Sequence, residues 1–332
     1  MNILVTGGAG YIGSHMVYEL LDQGLSPVVL DNLTTGNREL VPGNVPFVLG
    51  DIGDPQCVED LLTTNNIEAI VHFAGSIVVP ESVADPLKYY LNNTVRSRSL
   101  IESAVKCGVR NFIFSSTAAV YGMPEENPVD ETASLKPISP YGASKMMTEL
   151  MLSDVEKAHD LNYTALRYFN VAGADPQGRT GQSTPNATHL IKVASQVALG
   201  QRPYLGIFGT DYETEDGTCI RDYIHVSDLA HFHFLALKKL GQGGGASVYN
   251  CGYGHGQSVQ QVVDAVKRIS GVDFEVRLSP RRPGDPAALV ARSGKIQQDM
   301  NWMPRYRDLD AIVSSAFAWE KSLLEAKEAV PS

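Results

Sequence analysis

Tyr141 and Lys145 stand four positions apart in the stretch Tyr141-Gly142-Ala143-Ser144-Lys145, at the start of a segment that reads as helix. Residues i and i+4 share a helix face, so a phenol and an ammonium can address one point in space. Such a pair can take a proton from a hydroxyl and later return it, which is the acid/base half of an alcohol–ketone interconversion. The spacing alone is common on solvated helix faces. It carries chemistry only if the rest of the chain supplies a partner and a ligand.

The elements that would position the pair begin at the first residues. Asn2 to Thr6 is a short apolar run without alternation, as expected of a strand covered on both faces of a parallel sheet. It leads into Gly7-Gly8-Ala9-Gly10-Tyr11-Ile12-Gly13 and the helical pattern Ser14 to Gln23. Strand, glycine loop and helix together cradle a diphosphate, because glycines permit close backbone approach and the helix start presents free amides. The spelling satisfies G-x-G-x-x-G through Gly8, Gly10 and Gly13, and G-x-x-G-x-x-G through Gly7, Gly10 and Gly13. A second apolar strand, Pro27 to Leu30, ends at Asp31, where a carboxylate meets a ribose 2′-hydroxyl and repels a 2′-phosphate. Asn32 follows with no adjacent arginine, so the reading selects NAD over NADP. The plainer reading of Asp31 is a turn cap before Asn32.

Val45 to Leu49 reads as a third strand leading to Gly50-Asp51-Ile52, a natural place to hold adenine. Glu59 to Thr63 is helical, and Ala69 to Phe73 is a fourth strand ending in Ala74-Gly75, small residues that leave room for a cofactor. Glu81 to Cys107 reads as one long helix. Asn111 to Phe114 is a fifth strand, closing on Ser115-Ser116-Thr117, and Pro140 is a helix-start signal just before Tyr141. Tyr163 to Phe169 is a further strand ending at Asn170. This alternation predicts an α/β fold: a Rossmann-type doubly wound parallel sheet over residues 1–175, then a smaller mixed α/β domain over 176–332, some of whose segments return to the sheet. Gly241 to Gly245 reads as a flexible connection within the second part.

Composition narrows the function classes. The 332 residues are 43% hydrophobic and 19% charged, ordinary for a globular protein, and the formal net charge is −10. That balance argues against a broad nucleic-acid or anionic-membrane surface, so an anionic ligand would depend on a few placed arginines and backbone amides. No apolar run approaches the ~20 residues of a membrane span. Cys57, Cys107, Cys219 and Cys251 are scattered, which fits a reduced cytoplasmic compartment. The histidines form no ligand set: His231 and His233 fall on different helix faces, and His225 reads as a core residue. No metal is expected.

Taken together, the Gly7 to Gly13 loop, Asp31, the Ser115-Ser116-Thr117 run and Tyr141-x-x-x-Lys145 resemble the extended short-chain dehydrogenase/reductase family of sugar-nucleotide enzymes. The likeness covers nearly the whole chain and includes Arg167-Tyr168-Phe169-Asn170, Ile207-Phe208-Gly209-Thr210-Asp211-Tyr212, Arg221-Asp222-Tyr223-Ile224-His225-Val226 and Arg281-Arg282-Pro283-Gly284-Asp285. The resemblance implies that Thr117, Tyr141 and Lys145 are catalytic. It implies NAD contacts from Gly7, Gly10, Tyr11, Ile12, Gly13, Asp31, Asn32, Asp51, Ile52, Phe73, Ala74, Gly75, Asn92, Tyr141, Lys145 and Tyr168. It implies a UDP-hexose held by Thr117, Tyr141, Asn170, Gly206, Phe208, Arg221, Arg282, Asp285 and Leu289, with the two arginines on the diphosphate, a task suited to planar cationic forks. It also implies a homodimer formed by the helices near 81–107 and 140–158.

The reaction implied is reversible C4 epimerisation of UDP-glucose and UDP-galactose through a 4-keto sugar. Removing hydride from the C4 carbon requires a base at its hydroxyl, and a free tyrosine near pKa 10 needs help. A lysine ammonium about 5 Å away would supply roughly 3 kcal/mol, or about two pKa units, at an effective dielectric of 20. A 4,6-dehydratase of this family carries an Asp-Glu pair after the threonine, where this chain has Ala118 and Ala119. A non-enzymatic NAD-binding relative would typically lack the Tyr/Lys pair. Two departures stand out: Ile77 replaces a cofactor-contacting lysine of some members, and Thr184 to Leu190 lacks a paired asparagine. Leu289, where glucose-only members often have tyrosine, implies room for the N-acetyl group of UDP-GlcNAc and UDP-GalNAc as an alternative substrate pair.

Overall fold

The computed structural model describes residues 1–184, 187–282 and 284–328. In chain order its first strands are Asn2–Thr6 (β1), Ser26–Asp31 (β2), Phe47–Leu49 (β3), Ala69–His72 (β4), Asn111–Thr117 (β5) and Asn162–Tyr168 (β6). Shorter strands follow at Asn170–Ala172 (β7), Leu205–Phe208 (β8), Ile220–Arg221 (β9), Tyr223–His225 (β10), Ser247–Cys251 (β11), Gln257–Ser258 (β12), Val276–Ser279 (β13) and Ala288–Leu289 (β14). The first helices are Tyr11–Asp22 (α1), Pro55–Thr64 (α2), Val79–Ala84 (α3), Pro86–Tyr89 (α4), Arg96–Lys106 (α5) and Pro140–Ala158 (α6). The later ones are Leu190–Ala198 (α7), Val226–Gly241 (α8), Val259–Ser270 (α9), Gly294–Met300 (α10) and Leu309–Glu328 (α11).

Seven strands form one sheet in the order β11-β6-β5-β4-β1-β2-β3, and every neighbouring pair is parallel. The missing alternation in the strands has its expected cause. Ile3 and Val5 pack into one buried cluster with α1, α8 and α9, while Leu4 packs into another with α2, α5 and α6. The strand order reverses between β1 and β4, the place where a doubly wound sheet opens a crevice at its carboxyl ends. Gly7 and Ala74-Gly75 meet there.

The later segments form small pairings over that carboxyl edge: β7 with β10, β8 with β13, and β9 between β12 and β14. One of them, β11, rejoins the main sheet beside β6.

The long helix read over 81–107 is divided. Pro86 has no amide to continue the ladder, and Asp85 caps the new start by accepting from the Lys88 amide at 3.2 Å. A π-helical turn, Tyr90–Val95, then precedes α5. β5 runs on to Thr117 instead of stopping at Phe114, and Gly241 closes α8. Pro185 and Asn186, in the stretch that lacks the paired asparagine, and Pro283 lie outside the described residues.

Candidate active site

Ser139 starts α6 by accepting from the Gly142 amide at 3.2 Å, with Pro140 in the first turn. This turns Tyr141 and Lys145 toward the end of β5. The Lys145 amine is buried, donates to the Ser115 carbonyl at 2.8 Å and sits 5.0 Å from the centre of the Phe114 ring. The Thr117 side chain acts on the Tyr141 phenol, and its hydroxyl accepts from the Ala119 amide at 3.1 Å. Tyr89 packs edge-on against Tyr141 with ring centres 6.4 Å apart. Strand end and helix start thereby bring the three expected catalytic side chains together.

Burial dominates their electrostatics. Burial pushes the Tyr141 phenol up, and the Thr117 side chain pulls it back. Lys145 itself is lowered to about 8 by burial, against the opposing field of the Glu149 carboxylate. The amine is directed at the Ser115 carbonyl, and both groups are desolvated.

The glycine loop is shaped for a ligand that approaches the backbone. A Cβ on Gly13 would lie 2.1 Å from the Gly7 carbonyl oxygen, and one on Gly7, whose φ is +69°, would lie 2.7 Å from the Ala74 amide nitrogen. α1 has no side-chain cap and no acidic residue in its first turn, so its amides face the loop unopposed. A Cβ on Gly75 would come within 3.6 Å of the Lys145 amine. Asp31 accepts from the Ala9 amide at 2.9 Å and the Leu33 amide at 2.8 Å, so it caps its turn and clasps the glycine loop at once. These features fit a dinucleotide laid across the strand ends.

Gly7, Gly10, Tyr11, Ile12 and Gly13 follow β1; Asp31 and Asn32 end β2; Asp51 and Ile52 follow β3; Phe73, Ala74 and Gly75 follow β4. The Tyr11 hydroxyl donates to the Gly173 carbonyl at 2.6 Å, and Phe73 packs on His233. Ile52 places its side chain in the core, and the largely buried Tyr168 hydrogen-bonds His233.

Asn92, in the π-helical turn, reaches the Ser76 hydroxyl at 2.9 Å and accepts from Arg96 at 3.0 Å. Arg96 pairs with Asp51 at 3.2 Å, and Asn32 donates to the same carboxylate at 3.2 Å. Arg96 thus links three expected cofactor contacts, although sequence reading passed over it. Asn93 was passed over too: it grips Ser76 at both amide and carbonyl and reaches the Ser144 hydroxyl, fixing the Gly75-Ser76 loop to α6. The available signal was a cluster of polar residues inside an apolar helical window.

The expected substrate residues gather in two groups. Gly206 and Phe208 lie on β8, and the Arg282 guanidinium sits 4.0 Å over the Phe208 ring. Arg221 on β9 pairs with Asp285, and Leu289 on β14 stands directly beside Arg221 in register. Neighbouring Asp222 is fully buried and accepts from the Tyr253, Gly254 and Ala291 amides, which anchors the strand that presents Arg221. Asn170 starts β7 and lines a small cleft with Tyr223, His189 and Lys192. The histidines outside the site serve structure: His225 caps α8, and His231 meets Glu19 at 2.8 Å.

A family profile described as the NAD dependent epimerase/dehydratase family matches residues 3–252. A UDP-glucose 4-epimerase of Azospirillum brasilense is 56% identical over 321 residues, covering 97% of this chain and 92% of that protein. A UDP-glucose 4-epimerase from Brucella ovis, solved in complex with NAD, superposes with a TM-score of 0.93 at 44% identity, covering 96% and 97% of the two chains. The UDP-Glc/GlcNAc 4-epimerase from Campylobacter jejuni superposes with a TM-score of 0.85 at 49% identity, covering 97% and 99%.

Proposed function

The chain belongs to the NAD dependent epimerase/dehydratase family, and we propose that it is an isomerase that inverts C4 of UDP-glucose and UDP-galactose. The observation that carries this reading is the Lys145 contact with the Ser115 carbonyl, which sets Tyr141 and Lys145 of α6 against the strand end that carries Thr117, where only Ala118 and Ala119 follow and Tyr141 is left as the one proton carrier for the substrate. Bound NAD supplies the redox half, acceptance of a hydride from C4 and its return to the opposite face of that carbon. Gly7, Gly10, Gly13, Asp31 and Gly75 would hold it along the strand ends.

Tyr141 takes the proton of the C4 hydroxyl as the ketone forms and gives it back as the alcohol returns. Thr117 orients the phenol and the sugar oxygen. Lys145 stands one turn behind Tyr141 as the cation of the site. Elimination would need a second acid/base group, and the two alanines supply none. Arg221 and Arg282 would take the diphosphate, with Asn170, Gly206, Phe208 and Asp285 around the uridine.

The test is incubation of the purified protein with UDP-galactose and no added cofactor, followed by chromatographic assay of UDP-glucose. Turnover supports the reading; net accumulation of reduced NAD or of a keto product would replace it with a dehydrogenase or dehydratase.

N-acetylated sugars are a second substrate pair, favoured by the modest volume of Leu289 beside Arg221. Residues 1–175 form the NAD-binding part in this reading, joined by β11, and 176–332 the UDP-sugar part. We further propose a homodimer. Leu87, Leu91 and Leu150 are 76%, 51% and 54% exposed on α4, the π-helical turn and α6, an apolar face suited to a second copy. Among the described residues no helix is long and apolar enough to cross a membrane, and all four cysteines are free, which supports a cytoplasmic location.

A further inference from the structure

Behind the acid/base face lies a buried charged pair that no step above uses. Glu149, one turn beyond Lys145 on α6, is 5% exposed, and Arg167 on β6 is 4% exposed. The guanidinium meets the carboxylate twice, Nη2 to Oε2 at 2.6 Å and Nε to Oε1 at 3.0 Å. The Ser116 hydroxyl donates to the same carboxylate. Ser116 lies directly opposite Arg167 in the register of β5 and β6. Its chain neighbours are Ser115, whose carbonyl holds the Lys145 amine, and Thr117, whose side chain lowers the pKa of the Tyr141 phenol.

A buried ion pair is a poor source of stability, since apolar residues of the same volume often serve as well or better. Its placement therefore calls for a second reason. The site needs β5 held in fixed relation to α6, and it needs a negative charge near a buried ammonium.

The surroundings of Lys145 identify that charge. Toward its amine face the Ser115 carbonyl and hydroxyl and the Phe114 ring from β5, Gly75 from the loop after β4, and Glu149 from its own helix. His72 on β4 also feels the lysine and is held neutral by burial. Among the described residues, Glu149 is the carboxylate in this set.

We propose that Glu149, held by Arg167, is a positioning residue for the acid/base site: it pins Ser116, and through it Ser115 and Thr117, to α6, and it keeps Lys145 an ammonium. The proposal rests on Tyr141 and Lys145 carrying the epimerisation.

The test compares wild type, Glu149→Gln, Glu149→Asp and the apolar double variant Glu149→Met/Arg167→Met. For each, NAD content, calorimetric UDP affinity, and kcat and KM for UDP-galactose across pH are measured. Glu149→Gln should lose roughly 10- to 100-fold in kcat with KM and UDP affinity within about threefold, since binding contacts are untouched. The basic limb of its kcat profile should begin about one pH unit earlier, because an ammonium without its counter-charge gives up its proton sooner. Glu149→Asp keeps the charge on a shorter stem and should keep the limb while losing part of kcat. Should Glu149→Gln fail to fold, the double variant decides, since it leaves no charge unpaired. A double variant with wild-type kcat and an unmoved basic limb overturns the proposal. Absence of C4 turnover in the wild type would instead remove the underlying functional reading.

Discussion

The Lys145 amine donates to the Ser115 carbonyl at 2.8 Å, so α6 and the strand carrying Thr117 share a contact made by a buried cation. Burial lowers this lysine from 10.5 to about 8. Between those values the unfolded chain binds the extra proton, so stability rises with pH across that window, and below it the folded protein carries the whole penalty, about 3 kcal/mol. Lys145→Met should therefore stabilise the ligand-free protein by roughly 1–3 kcal/mol at pH 7, the lost hydrogen bond taking back part of the gain. The gain should shrink as pH approaches 10. Urea denaturation of both proteins at pH 7 and 9.5 measures it, and a gain that grows with pH would contradict the sign worked out here.

Tyr141→Phe removes the hydroxyl proposed to carry the C4 proton, while leaving the ring that packs on Tyr89. Its kcat for UDP-galactose should fall by about 10²–10⁴, the usual weight of a positioned acid/base group. Calorimetry should show UDP affinity within a few fold of wild type. Turnover near normal would mean that another group carries the C4 proton.

The main sheet was legible because strands β1, β2, β4 and β5 are short apolar runs punctuated by Gly7, Asp31, Gly75 and Thr117, and each punctuation lies at a carboxyl end. The helix over 81–107 was misjudged because its apolar residues keep helical spacing across Pro86; the break is set by one missing amide and one Asp85 cap. Arg96 and Glu149 were invisible for a different reason. A charged residue on a helix reads as solvated until the fold shows whether it meets Asp51 or lies beneath Arg167.

Arg96 joins Asn92 and Asp51 at the mouth of the proposed NAD site, bridging the π-helical turn to the loop after β3. The pair is about one-third exposed, so the effect of losing it should be modest. Arg96→Ala should weaken NAD affinity by about 3- to 10-fold through disorder of Asp51 and Asn92. UDP affinity should stay put. Measuring both by calorimetry separates this role from general destabilisation, which would weaken both ligands together.

The apolar face of Leu87, Leu91 and Leu150 has no partner within the described residues of one chain. Leu87→Glu/Leu91→Glu should give a folded monomer by light scattering where the wild type runs as a dimer, because a buried unpaired carboxylate opposes association. A wild type that is already monomeric at micromolar concentration would dismiss the dimer.

Leu289 reports on the sugar itself. It pairs in register with Arg221, an expected diphosphate ligand, and packs against the cluster of Ala118, Tyr121 and Phe169 that lies directly behind Thr117. A larger side chain at this position meets that filled cluster on one side, so in the proposed site it should grow toward the bound hexose. An acetamido group would then compete with it, whereas a plain hydroxyl would not. The wild type should interconvert UDP-GlcNAc and UDP-GalNAc, and Leu289→Tyr should lose at least about tenfold of that activity while UDP-galactose turnover stays within several fold. Assaying both substrate pairs with both proteins decides the matter. If wild type turns over UDP-galactose but not UDP-GlcNAc, the room at Leu289 is not used for the N-acetyl group; if the tyrosine variant loses both substrates equally, the position shapes the site without selecting the sugar.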